Sequence, residues 1–218
     1  MIDRFFTSDY VERSMLRDGR VAILRLLTPA DKAGLRRGFE RLSDESRYSR
    51  FLVPKQRLSD DELRYLTEID QEDHFAIVAL EQAKEGDAEA AGLGIARFIR
   101  LADPKAAEAA IALADEAQGQ GLGRLLFLRL VAAARERGIE RFRCEVLASN
   151  ASMKALIDQI TPDKTVEVGS GVMSIDLELP NVAPDATVIA PVPAYGLLRA
   201  SAQNAIEWTA AVRRLWRK

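Results

Sequence analysis

Apolar positions recur along this chain with two periods, and the switches between them mark out its elements. After the turn at Asp18-Gly19, Val21-Ala22-Ile23-Leu24-Arg25-Leu26 reads as a first strand. Thr28-Pro29-Ala30-Asp31 then has the make-up of a helix start, with a capping threonine, a proline in the first turn and an acid beside it. Leu35, Phe39 and Leu42 give that helix its inner face, while Gly34 and Gly38 weaken it. Ser43-Asp44-Glu45-Ser46 predicts a short second helix carrying Tyr48 and Phe51 inward. The capping box Ser59-Asp60-Asp61-Glu62 predicts a third, with Leu63, Leu66 and Ile69.

His74 to Leu80 and Gly92 to Ile99 read as the strands of a hairpin joined by a charged turn. Asp103-Pro104 breaks the chain before a central strand near Glu108 to Ala114. There follow the glycine turn Gln118-Gly119-Gln120-Gly121-Leu122-Gly123 and a long apolar-striped helix that Gly138 closes. Arg141 to Leu147 is a further strand, Asn150 caps a helix from Ala151 to Ile160, and a hairpin around Gly169-Ser170-Gly171 runs to Leu179. The order is mixed α/β without a regular strand-helix alternation. Residues 1–179 form the domain.

Pro180 to Gly196 has the composition of a linker, with Pro180, Pro184, Pro191 and Pro193. From Leu197 the period turns helical again, with Leu198, Ala202, Ala205, Ile206, Thr209, Val212 and Trp216 on one stripe. Residues 197–218 hold five of the 31 basic residues and one of the 33 acidic ones, so this stretch opposes an acidic body in charge. Two roles suit it: docking back with Trp208 and Trp216 over an apolar patch of the acidic body or in an oligomer contact, or a basic amphipathic contact for a partner or a membrane surface.

The near-neutral total does not favour a nucleic-acid partner. Cys144 stands alone, which excludes a disulfide framework and a four-cysteine zinc site and fits a reducing cytoplasm. The opening residues lack the apolar core of a signal peptide, and no run approaches the roughly 18 apolar residues of a membrane span, so membrane contact is not favoured. We expect a cytoplasmic protein.

The chemistry centres on the glycine turn. A strand that feeds such a turn and then a helix presents unpaired N–H groups at the positive end of the helix dipole, a seat for a phosphate or pyrophosphate. A P-loop is rejected, because Gly123 is followed by Arg124-Leu125 rather than Lys-Ser/Thr. A dinucleotide fingerprint lacks its third glycine, since Arg124 stands there, although Glu145 lies at a workable distance for a ribose contact. The third form is a Gln/Arg-x-x-Gly-x-Gly/Ala turn that grips the pyrophosphate of coenzyme A, and Gln118 to Gly123 satisfies it throughout.

On that turn, on Arg41 to Phe51, on Ala107-Glu108 to Asp115 and on Asn150-Ala151-Ser152-Met153, the chain resembles the GNAT superfamily of N-acetyltransferases. Within it, the chain is most similar to the acetyltransferase domain of bacterial protein-lysine acetyltransferases. The resemblance spans roughly residues 15–179. It implies a GNAT fold, a mostly antiparallel mixed sheet flanked by helices, and transfer of an acetyl group from acetyl-CoA to a primary amine, a protein lysine above all. It further implies that Gln118, Gly119, Gln120, Gly121, Leu122, Gly123 and Arg124 hold the pyrophosphate. Main-chain N–H groups about Ile111, Ala112 and Leu113 would polarise the thioester, and Glu108 would be the general base. Asn150 would reach the pantetheine or act as a plain helix cap.

The chain also departs from the pattern. The helix after Asn150 has no tyrosine to serve as general acid, Gln120 replaces an arginine, and Ala117 replaces a bulky residue. A non-catalytic acyl-CoA-binding module acting through residues 197–218 is the alternative. Asp115, Glu116, His74 and Cys144 read as turn, strand-start and core residues.

Overall fold

The computed structural model describes residues 4–40, 56–83 and 90–186. The expected helix at 43–51, the middle of the charged turn and the appendage at 197–218 lie outside the described residues, as does most of the linker.

Eight strands form one sheet in the order β1-β2-β3-β4-β5-β6-β8-β7. They are β1 (Val11–Met15), β2 (Val21–Leu26), β3 (His74–Glu81), β4 (Gly92–Arg100), β5 (Ala106–Leu113), β6 (Arg141–Leu147), β7 (Lys164–Gly169) and β8 (Val172–Glu178). Every neighbouring pair is antiparallel except β5 and β6. Helices α1 (Lys32–Glu40), α2 (Asp60–Thr67), α3 (Leu122–Glu136) and α4 (Ala151–Ile160) complete the described fold.

The first strand of the sheet is not the expected one. β1 precedes it and pairs with β2 around the Asp18-Gly19 turn. Its side chains alternate between exposed and half-buried, with none fully buried, so no hydrophobic period announces it. The Thr28 start opens as a 3-10 turn, Pro29–Asp31, before α1, and Asp31 accepts bonds from the Thr28 N–H and hydroxyl at 2.8 and 3.0 Å. Ser59 caps α2 through the predicted box, the Glu62 carboxylate taking the Ser59 N–H at 2.8 Å.

Strand alternation divides the core in two. On one face, Phe75, Ile77, Phe98, Ala107, Ala109, Ile111 and Phe142 pack under α3, whose Leu122, Leu126, Phe127 and Leu130 are fully buried. On the other, Leu27, Ala76, Val78, Ile95 and Ala112 form a smaller cluster. A separate group of Phe39, Leu58, Leu63 and Leu66 joins α1 to α2.

Candidate active site

β5 and β6 run side by side for three matched pairs, Ala106 with Arg141, Ala107 with Phe142 and Glu108 with Arg143, and then part. β4 stays paired with β5 along its whole length, from Arg100↔Ala107 to Gly94↔Leu113. Two bonds fix which way each peptide points. Leu101 N–H donates to Ala106 and Ala114 N–H donates to the Leu93 carbonyl, so the even-numbered residues of β5 turn their backbone toward β4. Lys105 accepts from Arg141 on the opposite side. The odd-numbered residues therefore face β6; Ala109 N–H closes the Glu108–Arg143 pair, and beyond it the N–H groups of Ile111 and Leu113 aim into the gap. Ala112, by the same parity, spends its N–H on β4.

The gap ends at the glycine turn. Gly119 and Gly121 have φ of 71° and 89°, the left-handed region that a side chain resists, and Gly121 caps α3. Among the described residues, the N–H groups of Gln120, Gly121, Leu122 and Gly123 donate to no main-chain carbonyl. The first turn of α3 holds no acid, and Arg124 lies within it. Gln118 bonds back to Asp115 at 3.2 Å. A Cβ on Gly123 would stand 3.2 Å from Leu113 Cδ1 and 4.0 Å from Leu156 Cδ2, so the turn, the end of β5 and α4 meet at this glycine. This is a close backbone approach with donors pointing out of it, and it fits a diphosphate by the chemistry of its donors.

Glu108 is 2% exposed, a buried carboxylate rather than a solvated charge at a strand end. It lies on the sheet face away from α3, with Ala110 and Ala112. Arg143 is its neighbour across the parallel ladder and also bonds Asp176 at 2.9 and 3.3 Å. Arg97, equally buried, occupies the same face on β4. Its guanidinium contacts His74 Nε2 at 3.1 Å and the Leu66 carbonyl at 3.3 Å. A guanidinium only donates, so Nε2 accepts and the His74 proton is on Nδ1. Burial, then the nearby Arg97 charge, pushes the His74 pKa down to about 3, which suits a structural residue.

Asn150 is 2% exposed and its Oδ1 accepts the Met153 N–H at 3.0 Å, the cap geometry of α4. Cys144 is buried in the main core, and burial pushes its thiol up, with Glu108 and Asp176 adding to it. Of the two described tyrosines, Tyr10 gives its hydroxyl to Glu12 at 2.7 Å and Tyr65 lies against His74 at 5.3 Å. A cavity of about 470 Å³ opens between α1 and the end of β5, lined by Gly34, Arg37, Glu40, Ala114, Asp115 and Glu116. Among the described residues no cluster of three metal-binding side chains occurs, and no helix is long and apolar enough to cross a membrane.

Two residues at this site escaped the sequence. Arg17 and Arg20, in the β1–β2 turn, both reach the segment around the glycine turn. Arg20 donates to the Glu116 carbonyl, and Arg17 to the Gly119 carbonyl at 3.3 Å. Basic residues beside Asp18-Gly19 were the available signal, but without β1 there was no reason to place that turn here.

The model of the acetyltransferase (GNAT) family matches residues 38–159. The chain belongs to that family. It is 31% identical over 159 residues to an acetyltransferase of Pseudomonas aeruginosa, covering 70% of this chain and 84% of that protein. It is 31% identical over 171 residues to the acetyltransferase Pat of Mycolicibacterium smegmatis, covering 77% of this chain and 48% of Pat, so the match spans about half of that relative. The solved GNAT domain of the PAT of S. lividans superposes with a TM-score of 0.68 at 30% identity, covering 80% of this chain and 99% of that one. This GNAT protein is an acetyltransferase related to the bacterial acetyltransferases Pat and PAT, and its open, mostly antiparallel sheet is that family's fold.

Proposed function

We propose that this acetyltransferase moves the acetyl group of acetyl-CoA to a primary amine, that of a protein lysine, by direct attack. The observation that carries the reading is the parting of β5 from β6 immediately after Glu108, with the glycine turn at the far end of the gap. A solved GNAT protein from Salmonella typhimurium, 21% identical and alike in fold, was determined with its cofactor acetyl-CoA.

Acetyl-CoA supplies the activated acyl group, and the chain supplies the rest. N–H groups from Gln120 to Gly123 hold the diphosphate, with Arg124 and the dipole of α3 adding positive potential. Ile111 and Leu113 N–H, aimed into the gap, donate to the carbonyl oxygen as it gathers negative charge. Ala112 is set aside for this purpose because its N–H is used by β4. Asn150 positions α4 at the opposite wall, as its cap.

A lysine-type amine with a pKa near ~10.4 must lose a proton before it attacks. Glu108 takes that proton, directly or through water, and the thiolate departs without a dedicated acid. The acceptor enters from the α1 side, where Glu40, Asp115 and Glu116 line the cavity and favour a cation.

Glu108→Gln tests the assignment. Coenzyme affinity by calorimetry should persist, while turnover on lysine peptides falls at least about tenfold. Unchanged turnover would remove Glu108 from the mechanism. Wild-type protein that binds acetyl-CoA but transfers nothing to a broad panel of amines and proteins would support the binding-module alternative.

A further inference from the structure

The β1–β2 turn grips the glycine turn from behind. Arg17 holds two consecutive carbonyls of it: its guanidinium donates to Gly119 at 3.3 Å and its main-chain N–H donates to Gln120 at 3.3 Å. Arg20 holds the Glu116 carbonyl just upstream and is itself engaged by Asp18 and Glu81. Arg17 is exposed and pairs with no carboxylate among the described residues. Its Nε lies 3.8 Å from where a Cβ would stand on Gly121. A guanidinium beside the positive end of a fifteen-residue helix whose first turn holds no acid is electrostatically unfavourable by itself.

Peptide planarity says what this grip accomplishes. In a trans peptide the C=O and the following N–H point in opposite directions. Pinning the Gly119 and Gln120 carbonyls on the β1–β2 side turns the N–H groups of Gln120 and Gly121 to the other side. With φ near 71° and 89°, these glycine peptides have other orientations open to them, so an external hold decides which one is populated.

We infer that Arg17 is a positioning residue for the coenzyme: it fixes the two peptides whose N–H groups face the diphosphate, without touching the ligand itself. The inference rests on the reading of Gln118–Gly123 as the diphosphate seat. It makes the hairpin turn a support that the glycine motif needs, in a chain where Gln120 leaves the turn without an arginine of its own.

The test compares wild type with Arg17→Ala and Arg17→Lys in the full chain. The KM for acetyl-CoA and the Kd for CoA and dephospho-CoA should each rise about tenfold in Arg17→Ala. The kcat at saturation and the KM for the amine should not move. Hydrogen exchange should quicken at the amide of 120 in the ligand-free Arg17→Ala variant and less at that of 121, whose peptide keeps the main-chain bond, and Arg17→Lys should recover part of the affinity. The salt dependence of CoA binding should keep its wild-type slope, because the lost group is not a phosphate contact.

A Kd within twofold of wild type in Arg17→Ala overturns the inference while leaving the diphosphate seat intact. An equal loss accompanied by a flattened salt dependence also overturns it, because Arg17 would then be a direct ligand. Wild-type protein that binds no CoA at all would instead remove the underlying reading.

Discussion

Glu108 and Arg143 face each other as the last matched pair of the β5–β6 ladder. The candidate base thus stands where the sheet changes from closed to open, fixed in position by pairing on both flanks. That placement makes its reach a sensitive quantity. Glu108→Asp withdraws the carboxylate by one methylene, and turnover should fall, though by less than in Glu108→Gln, with coenzyme affinity unchanged. Single-turnover and binding measurements on the same preparation check both halves.

Gly94 has no room for a side chain. A Cβ there would meet Leu113 Cδ2 at 2.6 Å, the Ala112 carbonyl at 2.9 Å and Leu126 Cδ1 at 3.2 Å. The carbonyl belongs to the β5 backbone and cannot retreat cheaply. Gly94→Ala should cost about 1–3 kcal/mol and, by driving Leu113 toward Gly123, should raise the KM for acetyl-CoA. Gly92→Ala, which would meet nothing within 4 Å, is the control for thermal unfolding.

Arg129 is 3% exposed and clasps Glu12 with two bonds, at 2.6 and 2.8 Å, while donating to the Ala186 carbonyl at 3.0 Å. Burial alone would raise the Glu12 pKa, but the bonds from Arg129 and Tyr10 outweigh it and hold the carboxyl below its ordinary range. Glu12→Gln leaves the guanidinium buried without its counter-charge and should cost about 3 kcal/mol in denaturant unfolding. Pairing Glu12→Leu with Arg129→Met should restore much of that loss.

His74 gives the stability a pH dependence of known sign. Its folded pKa, about 3, lies below the 6.5 of the unfolded chain, so the unfolded state binds the extra proton between those values. The stabilisation is complete above about pH 6.5 and fades as pH falls toward 3. His74→Gln keeps an acceptor for Arg97 but does not titrate. Its deficit against wild type should therefore shrink steadily on acidification, as read from urea midpoints across that range.

The sequence exposed those parts of the fold whose cause is local. The capping box at Ser59, the cap at Asn150, the glycine turn and the stripe of α3 each depend on residues a few positions apart. β1 was hidden because its faces are exposed or half-buried, so Val11 and Met15 carry no core signal. The burial of Glu108 was hidden for a different reason: a carboxylate at a strand start looks solvated until the partner strands and the opposite face are known. Arg17 and Arg97 depend on elements about a hundred and about thirty residues away, and no spacing rule joins them.

β6 meets β5 through three matched pairs but meets β8 through seven, so the strands β6, β8 and β7 are fastened to one another better than to the rest of the sheet. The molecule therefore has a seam, and the seam coincides with the gap that the thioester arm would occupy. An occupant bonded to both banks would act as a splint, so saturating coenzyme should slow amide exchange on β6 and β8, not only at the glycine turn.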